Sequence, residues 1–79
     1  MLSAYPEIRD RIFQLARDKG LRVELAESSP RSSALLLLIW DQAHINIGRA
    51  ILPTRHLNPD VIADLERKLE HIFGKDWLQ

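Results

Sequence analysis

Cysteine is absent from the chain, which excludes disulfides and thiolate metal sites. Net charge is absent as well. The 11 basic and 11 acidic residues cancel and the pI is near 6.8, so no global field draws the protein to nucleic acid or to an anionic membrane. Glycine is scarce and isolated, at Gly20, Gly48 and Gly74, which rules out a glycine-rich phosphate loop. The histidines His44, His56 and His71 include no two spaced to share a metal on one helix or strand. No Ser, His and Asp grouping has a distinctive spacing, so no catalytic residue is assigned. No metal, no cofactor and no enzymatic activity are expected. Long apolar runs are missing too, and the longest stretch of consecutive apolar residues, Ala34 to Trp40, is far too short to span a membrane.

What is present is ordinary for a folded protein: 46% apolar and 28% charged residues, against the composition of disorder. A chain of 79 residues makes one domain, 1–79, near the lower size at which a core holds without staples. Glu7, Arg9, Asp10 and Arg11 precede any apolar run, so no secretory leader is expected and a cytoplasmic location is the default.

The periodicity predicts a helix over about 6–19, with Ile8, Ile12, Phe13, Leu15 and Ala16 on one side, Pro6 in its first turn and Gly20 ending it. Glu7 and Arg11 are spaced to pair along it. Leu21, Val23 and Leu25 alternate with Arg22 and Glu24 in a half-buried strand over about 21–26. Serines around Pro30 and Arg31 make a loop, and the apolar run is a second strand over about 34–40. A third is expected over about 43–52, stopped by Pro53. Asn58 as N-cap, Pro59 at the first helical position and Asp60 in the first turn open a second helix over about 59–73, ended by Gly74. Leu57 and Ile62 are placed as a hydrophobic staple across that cap. Trp77 and Leu78 in the short C-terminal tail are expected to fold back on the body. The class is therefore α+β with the order α-β-β-β-α: a three-stranded antiparallel meander with both helices packed on one face.

A strand apolar on both faces has more to bury than one layer of helices covers. With a two-residue turn at Asp41-Gln42, Leu36, Leu38 and Trp40 face the helices. Leu35, Leu37 and Ile39 are then left outside, edged by Arg22 and Glu24 on one side and by His44, Asn46 and Gly48 on the other. A three-residue turn inverts the two sets, since a slip by one residue turns every side chain over. Either way one apolar stripe with a polar rim remains, and monomers seldom leave such a stripe uncovered.

The order of elements resembles that of the double-stranded-RNA-binding domain and of the HicA-type toxin ribonucleases that share its topology. Asn58-Pro59-Asp60 stands where the RNA-binding family has a lysine cluster, and His44 is the sole counterpart of the toxins' glycine-serine-histidine patch. No functional residue is carried over and no family is claimed. The leading expectation is a small non-enzymatic protein-interaction module whose partner-binding residues are Leu35, Leu37, Ile39, His44, Asn46, Arg22 and Glu24. Such a chain is expected to be a homodimer or a small inhibitor or adaptor of the kind that phages and plasmids encode. The alternative is a nucleic-acid-binding or ribonuclease module using Arg31, Arg49, Arg55 and His44, which the balanced charge disfavours.

Overall fold

A computed structural model describes residues 4–27, 33–55 and 57–78. Its elements are α1 (Tyr5–Asp18), β1 (Arg22–Glu27), β2 (Ala34–Trp40), β3 (Asn46–Pro53), α2 (Pro59–Lys68) and a short α3 (Glu70–Phe73). The three strands form one antiparallel sheet in the order β1-β2-β3, which is the expected α-β-β-β-α arrangement.

Local chemistry sets the helix ends. Ile8, Ile12 and Ala16 recur every four residues and form the buried stripe of α1. The helix stops in a Schellman motif: the Leu21 amide donates to the Ala16 carbonyl at 2.8 Å and the Gly20 amide to the Arg17 carbonyl at 3.2 Å. Gly20 supplies the required left-handed backbone, at φ 71°. Asn58 caps α2 as its sequence predicts, its side chain accepting from the Val61 amide at 2.9 Å, and Leu57 and Ile62 both join the core. Asp64 and Lys68 pair at 3.3 Å. The pair expected between Glu7 and Arg11 does not form, because Arg11 turns instead to the Trp77 carbonyl at 3.3 Å.

The second helix is not continuous to residue 73. It breaks at Leu69, whose side chain is fully buried, and the Ile72 amide donates back only three residues, to the Leu69 carbonyl. That bend lets α3 follow the sheet. His71 Nε2 donates to the Ile47 carbonyl at 3.0 Å, and Ile72 fits against Gly48, where a Cβ would come within 2.3 Å of its Cδ1. The tail does fold back. Trp77 and Leu78 are buried, Trp77 Nε1 donates to the Glu66 carbonyl at 2.8 Å, the Leu78 amide donates to the Glu66 carboxylate at 3.1 Å, and the Trp77 ring lies 5.0 Å from that of Phe73. One core results, joining Ile8, Ile12, Leu37, Ile39, Leu52, Leu65, Leu69 and Leu78.

The β2–β3 hairpin differs from the two-residue turn and decides which face is buried. Asp41 Oδ1 accepts from the Ala43 amide at 2.8 Å and the Ile45 amide at 3.0 Å. The Asp41 amide donates to the Ile45 carbonyl and the His44 amide to the Asp41 carbonyl. Gln42, Ala43 and His44 are thus a three-residue loop closed by a left-handed residue, His44 at φ 62°. The loop takes residues 42–44 and Ile45 closes it, so β3 begins at Asn46 and not at 43. A bulge follows, with Ile39 opposite Gly48 but Trp40 opposite Asn46, leaving Ile47 as the extra residue.

Candidate functional site

The face turned to the helices carries Leu37 and Ile39, both fully buried. Leu35 shares it by alternation, opposite Leu52. These three are the apolar members of the expected partner-binding set, and the structure turns them to the helix side instead. Two features explain the inversion. Val23 and Leu25 of β1 point to the helices and stand opposite Ile39 and Leu37, so the helix side of β2 takes the odd-numbered set. On β3 it is Ala50 and Leu52 that reach the core, while Arg49 between them lies on the open side, where a charge keeps its water.

The outer face therefore consists of three cross-strand rows: Ala26, Leu36 and Ile51; Glu24, Leu38 and Arg49; Arg22, Trp40 and Asn46. Leu36, Leu38 and Trp40 run down its centre, half-buried, and Ile51 is 47% exposed beside them. Among the described residues no element lies over this face, since the helices and the tail all belong to the core on the other side. The central side chains are shielded in part by the rim. Arg22 stands over the Trp40 ring, its guanidinium carbon 5.5 Å from the ring centre, and pairs with Glu24 at 3.0 Å. The Trp40 Nε1 donor is buried without a hydrogen-bond partner among the described residues.

Arg22 and Glu24 thus border the candidate surface as the alternation of β1 predicts. Asn46 lies at its corner, but its side chain is engaged: Nδ2 donates to the Ile39 carbonyl at 3.3 Å and to the Gly48 carbonyl at 3.2 Å, holding the bulge together. His44 is not on a strand at all. It occupies the loop, exposed, where its left-handed backbone is its main contribution. Arg31 and His56 fall outside the described residues. Arg49 is on the outer face and Arg55 in the connection after β3, while His44 precedes the other end of this eight-residue strand, which is roughly 26 Å long at 3.3 Å per residue. The residues of the nucleic-acid alternative that are described do not converge.

With a two-residue turn the sequence puts Leu36, Leu38 and Trp40 in the core; the three-residue loop realises the inverted arrangement, and Ile51 is not among the expected residues. A usable signal was present: Arg49 shares its parity with Ile51, and a charged residue in mid-strand marks the wet face. At the β3 edge of this face, an open cleft of about 310 Å³ between β3 and α2 is lined by Ile51, Val61, Asp60, Asp64 and Lys68. Asp64 there is paired with Arg67 and Lys68, and Asp60 at the start of α2 is the remaining charge in the cleft. Among the described residues no three His, Asp or Glu side chains gather as a metal site, and no helix is long and apolar enough to cross a membrane.

No protein-family model, curated protein or solved structure is significantly similar to the chain. The resemblance to RNA-binding and toxin domains is accordingly one of element order alone.

Proposed function

We propose that the chain is a small non-enzymatic protein-interaction module that meets a protein partner through the outer face of its sheet. The observation that carries this reading is the line of Leu36, Leu38 and Trp40 with Ile51, which no helix covers among the described residues. Finishing the burial of one Leu or Ile contributes up to about 1.5–3 kcal/mol, and contiguous apolar surface of this kind marks interaction sites. The rim suits the role. Arg22, Glu24 and Arg49 frame the apolar centre with charges of both signs, as in interfaces whose polar border fixes orientation.

Leu38→Lys tests the reading. Leu38 lies in the middle row, away from the helices, so its replacement should leave the circular-dichroism spectrum and thermal midpoint near those of the wild type. The immobilised variant should lose the proteins that the wild type retains from extracts of the source cell, whereas Glu70→Lys, at an exposed position of α3, should retain them. Equal retention by the Leu38 and Glu70 variants, together with an unchanged mass in solution, removes the face from consideration.

A further inference from the structure

The rim charges choose an occupant for this face. We infer that it is a second copy of the same chain, stacked sheet to sheet about a twofold axis that runs along β2, with Glu24 of each copy paired to Arg49 of the other. This rests on the reading of the outer face as a protein-binding surface.

The register supplies the geometry. Glu24, Leu38 and Arg49 form a single row across β1, β2 and β3. Rotation about an axis parallel to β2 lays β1 of one copy over β3 of the other and keeps each row at its own level. Leu38 then meets Leu38, Leu36 meets Leu36, Ala26 meets Ile51, and Glu24 meets Arg49 twice, once on each side of the axis. Sheets stack about 10 Å apart, a gap that Glu and Arg side chains together can span. Glu24 uses Oε1 for Arg22, which leaves Oε2 to accept from the incoming guanidinium. An axis across the strands fails this test. Centred on the same row it sets Glu24 against Glu24 and Arg49 against Arg49. Displaced by one residue toward Leu36 it sets both charges against apolar side chains, where they lose water without gaining a partner. Displaced toward Trp40 it offers Glu24 only a second Arg22, a residue it already pairs with in its own chain, and leaves Arg49 opposite the neutral Asn46.

Two further facts agree with a self-complementary surface. The chain has no net charge, so copies do not repel one another at a distance. Three strands of about seven residues offer roughly 300 Å² of flat area per copy, the size of a weak, reversible interface and not of an obligate one. Self-association is therefore weak, and visible only when concentration is varied.

Sedimentation velocity from micromolar to millimolar concentration reads the outcome. Wild type should pass from monomer to dimer. Glu24→Arg alone and Arg49→Glu alone each set two like-charge pairs across the axis and should weaken the dimer about tenfold or more, with circular dichroism unchanged. An equimolar mixture of those two variants restores both attractive pairs in a heterodimer, and the double variant restores them in a homodimer, so both should regain the wild-type mass. A wild type that stays monomeric throughout overturns the second copy as occupant, while the interaction reading beneath it then stands or falls on Leu38→Lys. A dimer that ignores both single charge reversals uses another surface and overturns the geometry.

Discussion

Asp41 does at the scale of one residue what a glycine does in many hairpins. Its carboxylate captures the Ala43 and Ile45 amides and so fixes the loop length on which the orientation of β2 against β3 depends. Asp41→Ala gives those amides to water and frees the loop, at an expected cost of about 1–2 kcal/mol in urea unfolding. Asp41→Asn, which keeps the acceptor oxygen, should lose less than half as much. Three residues on, the sign reverses. His44 holds a left-handed backbone at φ 62°, which costs a side chain with a Cβ about 1–2 kcal/mol. Part of that is regained by glycine, whose unfolded chain is looser. His44→Gly should stabilise the fold by about 0.5–1 kcal/mol in the same assay. Because the imidazole lies beyond the outer face, association should be untouched; a loss there would return His44 to the binding surface.

Elements whose ends are decided locally could be read from the chain, and elements decided by distant contacts could not. The Asn58 cap, the Gly20 stop and the stripe of Ile8, Ile12 and Ala16 each depend on residues within two turns, so their sequence signals survive in the structure. The face of β2 depends on the loop at 42–44, on the bulge at Ile47 and on which side Arg49 can occupy. The loop and the bulge leave no mark in a run as uniform as Leu35 to Leu38, and only the charge of Arg49 points to the wet face. The break at Leu69 was likewise hidden, since helical spacing continues through it and only the approach of Ile72 to Gly48 explains why the chain bends. The C-terminal tail shows how much such contacts carry. Trp77 is buried against Phe73, anchored to Glu66 and bonded through its carbonyl to Arg11, so it ties the two ends of the chain together. Trp77→Ala should cost about 3–5 kcal/mol, a large share of the roughly 4–12 kcal/mol available to a domain this small. Its thermal midpoint should fall steeply. Trp77→Phe, which keeps the packing and loses the Nε1 bond, should cost nearer 1 kcal/mol.

For the whole molecule, stability and association draw on different physics, and salt separates them. The four ion pairs found among the described residues, Arg9–Asp10, Arg22–Glu24, Arg67–Asp64 and Lys68–Asp64, all have solvent-exposed side chains. Pairs of that kind contribute at most about 1 kcal/mol each and are screened by added ions. The core beneath the sheet is apolar, with no buried polar or charged residue among those described. Raising sodium chloride from low ionic strength to about 1 M, where the screening length is only about 3 Å, should therefore move the unfolding free energy by less than about 1 kcal/mol. The stacked dimer responds differently, since two Glu24–Arg49 contacts sit at its border and help to orient it. Screening them should weaken association several-fold while leaving a residual, salt-insensitive part from Leu36, Leu38 and Trp40. In Arg49→Glu, where the same positions repel, added salt should strengthen association instead. Opposite salt slopes in the wild type and in that variant would place the charges at the interface, because a purely apolar contact gives both proteins the same slope.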